Sequence, residues 1–167
     1  MSSSKMSVET TERELIFTRT FDAPRELVFR AYSSCEHLKH WWGPRTWPMQ
    51  ECTMDFREGG VWHYCLRGPN QGDASWGKAV FQQIVEPERL VYQDFFCDEQ
   101  GNVNAELPTV LSTLEFTAVG GKTTLKGRAE YASPSDLKTV LEMGMVDGMS
   151  ETLDRLEEHL ADVRTRA

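Results

Sequence analysis

The sequence predicts an α+β domain in which a curved antiparallel sheet of about seven strands wraps around a long C-terminal helix, with two short helices after the first strand. Three observations carry this expectation. Between Met49 and Tyr131 apolar and polar residues alternate with a period of two, the signature of half-buried strands. The links between those strands are short and rich in Gly, Pro and Asp, which favours an antiparallel meander over parallel crossovers. From Ser133 onward the apolar period changes to that of a helix.

The elements follow in order. Met1–Thr11 is a polar, Ser/Thr-rich tail, expected to be disordered, with the domain over residues 12–163 and a frayed end at 164–167. Glu14–Phe21 reads as the first strand. Asp22-Ala23-Pro24 opens a helix carrying Leu27, Val28 and Ala31, with Pro24 in its first turn, where a missing N–H is no loss. Ser33 with Glu36 has the spacing of a capping box for a second helix through Leu38 and Trp41, ended by Gly43-Pro44. Cys52, Met54 and Phe56, then Trp62, Tyr64 and Leu66, form two strands joined in a tight hairpin at Gly59-Gly60. Strands from Trp76 to Val85, Leu90 to Cys97, Thr109 to Ala118 and Lys122 to Tyr131 complete the sheet. Ser133 is a suitable N-cap, with Pro134 behind it and Asp136 in the first turn, for a helix running to about Asp162. Its apolar stripe shifts round between Gly144 and Gly148, so a bend or break is expected there.

A single helix is about 10 Å across, whereas six strands at ~4.8 Å spacing span more than twice that. The sheet must therefore curl, and the part the helix leaves uncovered becomes a groove or cavity.

Composition narrows the function classes. The chain of 167 residues fits one domain, and its net charge of −8, with scattered lysines and arginines, argues against a nucleic-acid partner. No apolar run reaches the roughly 18 residues of a membrane helix. The N-terminus lacks an apolar signal-peptide core and the four cysteines form no CxxC pair, so reduced cysteines, a cytoplasmic location and a monomer or homodimer are expected.

Several segments together resemble a known family. "FDAPRELVFRAYSS" resembles the first strand and helix of the START-like, helix-grip superfamily. "HWWGP", with Trp42, Gly43 and Pro44, and "MDFREGGVWHY", with Asp55, Arg57, Gly59, Gly60 and Trp62, resemble more narrowly the family of the activator of Hsp90 ATPase homologue. "IVEPERLVY" and "GMSETLDRLEEHL" fit the same pattern, so the resemblance runs from about Leu15 to Leu160. It implies the helix-grip fold and a hydrophobic cavity, and no particular reaction. The co-chaperone that gives the family its name has a further N-terminal domain absent from this sequence, so chaperone activation is not carried over.

The leading expectation is binding of a small apolar or aromatic ligand between sheet and helix. Its lining is assigned to Trp62, Tyr64, Trp76, Phe81, Phe95, Leu114, Arg128, Met145 and Met149, with Tyr64 and Arg128 or Asp94 at a polar end. Trp41, Trp42 and Phe96 belong to the same aromatic set, and each ring competes with a plain core role. No cofactor or metal is expected: Cys35, His37 and His40 do not share one helix face. Asp55 and Arg57, two apart on a strand, are expected to pair with each other or with a neighbour and so fix the hairpin, the alternative being to orient a polar ligand. No Ser-His-Asp order, phosphate loop or nucleophile elbow is present. The alternatives are a protein-partner or co-chaperone-like module, with Trp41-Trp42 as an exposed anchor, and a cyclase or hydrolase of an apolar substrate, for which His63, Asp94, Glu115 and Arg128 are the ionisable candidates.

Overall fold

The computed structural model describes residues 6–166. Its elements are β1 (Ser7–Thr10), β2 (Glu14–Phe21), α1 (Arg25–Ala31), α2 (Cys35–Trp41), β3 (Met49–Met54), β4 (Val61–Arg67), β5 (Ala74–Val85), β6 (Arg89–Cys97), β7 (Val110–Val119), β8 (Lys122–Glu130), α3 (Pro134–Glu142) and α4 (Met145–Arg166). The strands form one sheet in the order β1-β2-β8-β7-β6-β5-β4-β3, antiparallel throughout. This is the predicted architecture with one strand more. The additional strand comes from the supposed tail: Ser7–Thr10 pair with Leu15–Thr18, because Val8 and its neighbours complete the edge that β2 offers. Residues 1–5 of that tail lie outside the described residues.

Some local signals act at the expected residue and others one residue away. Ser133 caps α3 as expected, its Oγ accepting from the Asp136 N–H at 3.1 Å. The capping box at Ser33 and Glu36 does not form. Ser34 is the N-cap of α2, accepting from the His37 N–H at 3.3 Å, while Ser33 Oγ donates back to the Arg30 carbonyl at 2.9 Å. Pro24 is the N-cap of α1 rather than its first helical residue. The β3–β4 link is not a tight hairpin but a six-residue loop, 55–60, closed by Asp55 N–H to the Val61 carbonyl at 3.0 Å. Within it Arg57 pairs with Asp55 at 2.7 Å, as the spacing predicts. The C-terminal helix breaks at Met143-Gly144, where Gly144 takes φ +83°, a conformation that ends α3 and restarts the chain as α4. At the far end Arg164 donates to the Asp22 carbonyl at 2.6 Å and α4 reaches Arg166, while residue 167 lies outside the described residues.

The concave face of the sheet holds the core. Leu15, Phe17 and Phe21 of β2, Leu125 of β8 and Phe116 of β7 point inward against Leu153, Leu156 and Leu160 of α4. Arg19 shares that inward face of β2 and is only 4% exposed. Its guanidinium meets Asp154 and Glu157 of α4, both at 2.8 Å, and so joins helix to sheet. On the other side α4 holds α2. His37 Nδ1 lies 2.9 Å from His159 Nε2, and the His40 ring stacks on His159 at 5.1 Å. Arg155 donates to the carbonyls of His40, Trp42 and Gly43 at 3.0, 3.4 and 2.7 Å, satisfying acceptors that the end of α2 leaves open. The segment after α2 is thereby pinned to α4, and Arg45 adds an ion pair with Glu158.

The cysteine expectation is overturned for two of the four. Cys35, at the start of α2, is joined in a disulfide to Cys52 of β3, whereas Cys65 and Cys97 are free. Sequence spacing showed no CxxC, but the fold brings these two Cα atoms to 5.7 Å, inside the disulfide range. The bridge spans 17 residues, so chain-entropy arguments assign it about 3 kcal/mol. The double variant Cys35→Ser/Cys52→Ser should lose that much in urea unfolding, and reductant should bring the parent protein down to the variant's level. A loss under about 0.5 kcal/mol, the ordinary scatter of surface substitutions, would mean the bridge contributes nothing.

Candidate functional site

The predicted mismatch between sheet and helix is present. A cavity of about 570 Å³ lies between the inner face of β4–β8, the α3–α4 junction and the segment after α2. That volume falls within the range of small-molecule sites. Its wall is largely apolar. Met143, Met145 and Met149 line it from the helix break, and Trp42, Pro44 and Trp47 line it from the segment that Arg155 holds. Among the described residues no helix is long and apolar enough to cross a membrane.

Glycines make room for the rings on the floor. A Cβ at Gly77 would overlap Tyr64, because that ring lies across the neighbouring strand. Gly127 does the same for Phe17. The pairing Tyr64↔Gly77↔Phe96 sets this part of the floor, and the pairing Trp62↔Ala79↔Asp94 runs beside it.

Four of the nine residues predicted from sequence face the cavity: Tyr64, Leu114, Met145 and Met149. Three border it but turn outward. The Trp76 ring stacks on His63 at 4.9 Å on the convex face. Phe95 has the parity of Lys78, opposite to Asp94 and Phe96. Arg128 has the parity opposite to Gly127 and Ala129, and its guanidinium pairs with Glu14 at 3.3 Å, so it cannot form the polar end. The remaining two are core. Trp62 and Phe81 are 2% and 1% exposed and outside the lining. Trp62 lies beneath the site, its ring 4.6 Å from Tyr64 and 4.8 Å from Trp42, and its indole N–H has no acceptor among the described residues. Trp41 is fully buried, so the Trp41-Trp42 pair is not an exposed anchor. Cys35 is used in the disulfide and His37 in its bond to His159, which leaves the metal-like trio without a common centre.

The polar end is built around Asp94, on the inner face of β6. Its carboxyl faces the cavity and belongs to no ion pair among the described residues. Burial pushes its pKa up to about 7, opposed by a hydrogen bond from the Phe95 backbone. Tyr64, Tyr92 and Tyr131 surround the same space. Burial first, and then the Asp94 carboxyl, raises all three hydroxyls above the ordinary tyrosine value. Tyr92 and Tyr131 were missed in the sequence. Tyr92 has the parity of Asp94, which was a usable signal, whereas Tyr131 lies just past the end of β8 and carried none.

A curved antiparallel sheet gripping a helix over an apolar cavity defines the helix-grip, START-like class of ligand-binding domains. Within that class the chain belongs to the family of Activator of Hsp90 ATPase homolog 1-like proteins, whose family model matches residues 22–161. Solved structures agree over nearly the whole chain. A protein of Arthrobacter aurescens is 28% identical with a TM-score of 0.87, covering 93% of this chain and 91% of its own. One of Mycobacterium smegmatis is 29% identical with a TM-score of 0.84, covering 92% and 95%. One of Staphylococcus epidermidis is 32% identical with a TM-score of 0.79, covering 94% of each chain. No curated protein matches.

Proposed function

We propose that this chain binds a small, largely apolar or aromatic molecule in the cavity between sheet and helices. The observation that carries the reading is the cavity itself: about 570 Å³, walled by methionines and aromatic rings, with one carboxyl and three tyrosine hydroxyls at one end. Such a site gains from apolar area removed from water and takes its orientation from a few polar groups. The methionines at the α3–α4 break adapt to irregular shapes.

The test uses N-phenyl-1-naphthylamine, a neutral dye that fluoresces in apolar surroundings. It should light up in the protein and raise its melting temperature by mass action, about 2.7 kcal/mol at a hundredfold excess over Kd. Met149→Trp, which fills the space, should abolish both effects while the variant still melts cooperatively. A dye that neither fluoresces nor shifts melting, or binds Met149→Trp equally well, removes the cavity as its site.

A second reading, an enzyme using Asp94 to move a proton, is favoured by the same carboxyl, since a group titrating near pH 7 inside a cavity suits general acid–base work. Its neighbours in the lining are hydroxyls, and no histidine, lysine or cysteine among the described residues joins them there to activate one, which keeps binding first.

A further inference from the structure

We propose that the cavity selects organic cations, an ammonium or other protonated nitrogen on an apolar or aromatic body, and that Asp94 is the group that receives the charge. The inference rests on the ligand-binding reading above and adds the chemical class of the ligand.

The argument is one of sign. Asp94 is the single carboxyl in the lining among the described residues. Among the described residues no arginine, lysine or histidine offsets it there: Arg128 is the only cation bordering the cavity, and it is spent on Glu14 at the convex face. The groups facing Asp94 from the other elements are Tyr64 of β4, Ser112 of β7 and Tyr131 after β8, with Tyr92 on the inner face of its own strand; Cys97, three residues on, lies on the opposite face but still feels its charge. Among the described residues the helices α1 to α4 present no ionisable group to the cavity, and Tyr32, capping the end of α1, adds a hydroxyl. Aromatic rings carry negative potential on their faces, and hydroxyl oxygens accept hydrogen bonds from a cation. The hydroxyls can serve a guest of either sign, but the carboxylate and the ring faces favour a positive one. A protonated nitrogen would gain the carboxylate directly and the rings by cation–π attraction. An anion would meet repulsion with no donor cation to relieve it. A neutral guest would leave the carboxyl to be buried without compensation, a costly arrangement that a serine or asparagine would avoid. The protein's net charge of −8 also draws cations toward it.

Three matched probes test this on the intact chain by calorimetry at pH 7.5: 2-(2-naphthyl)ethylamine, 2-(2-naphthyl)ethanol and 2-naphthylacetate. The amine should bind at least about tenfold tighter than the alcohol, and the acetate weakest. Asp94→Asn should cost the amine at least about tenfold and leave the alcohol within about threefold. At pH 6.5 amine binding should release protons, read from two buffers of different ionisation enthalpy, because pairing draws Asp94 into its charged form. The alcohol should release none. Alcohol or acetate binding as tightly as the amine, or an amine preference that survives Asp94→Asn, overturns the assignment while leaving the cavity as a binding site. Failure of all three probes overturns the binding reading along with it.

Discussion

Asp94→Asn should make the protein more stable above pH 7, although it removes a buried polar group's charge rather than adding a contact. The folded state holds this carboxyl's pKa at about 7, against 3.8 for an unperturbed aspartate. Between those values the native state keeps a proton that the unfolded chain gives up, so native stability falls as pH rises from 4 to 7 and stays lowered above it. Each unit is about 1.4 kcal/mol, which puts the full penalty at a few kcal/mol. Asparagine does not titrate and is close in shape, so the variant escapes the penalty. Its advantage in urea unfolding should be small at pH 4.5 and reach a plateau near pH 8. His37 acts in the opposite sense: burial lowers its pKa, so it costs stability as pH falls below about 6.5, where the unfolded imidazole takes a proton first. Above pH 7 it is neutral in both states, and the Asp94 effect is read cleanly there. An Asn variant less stable than the parent at pH 8 would contradict the environment described. A more stable but less ligand-competent variant is the usual relation between strain at a site and its use.

Trp41→Ala should be among the most damaging single substitutions, costing about 3–5 kcal/mol. The ring is fully buried, meets Tyr32 edge-on at 4.8 Å and Trp42 at 5.4 Å, and donates its indole N–H to the Ala31 carbonyl at 3.1 Å. It also borders the cavity. A side chain lost beside an existing void leaves a space that neighbours cannot close from that side, so the cavity penalty is felt in full. Trp42→Ala, whose ring is half-buried, should cost less in stability and more in ligand affinity. Urea titrations of the two variants separate these outcomes; equal, small losses would show that Trp41 does not anchor α2.

Period and punctuation were enough to read the sheet, the two short helices and the break near Gly144, because each depends on neighbours in sequence. What they could not show depends on neighbours in space. Cys35 and Cys52 meet only because α2 packs on β3. Arg155 closes the end of α2 from a helix more than a hundred residues on. The site suffered from the same limit. Parity sets Tyr64 and His63 on opposite faces without saying which face is inward, and Trp76 and Phe95, expected in the lining for their rings, sit at positions whose parity turns them to the convex face. Trp62 has the right parity but is covered by Tyr64 and Trp42, and no periodic pattern distinguishes a floor from what lies under it.

The order of the sheet also governs when it can be made. β2, near the beginning of the chain, finds its inner partner only in β8, with Glu14 and Arg128, 114 residues apart, side by side. Closing so long a loop is slow and must precede the contacts that reward it. During synthesis the apolar residues of β2 must therefore wait until most of the chain has left the ribosome. Over that interval an exposed Phe17 or Phe21 is a site for aggregation or for a chaperone, and refolding of the full chain should be limited by this long-range pairing.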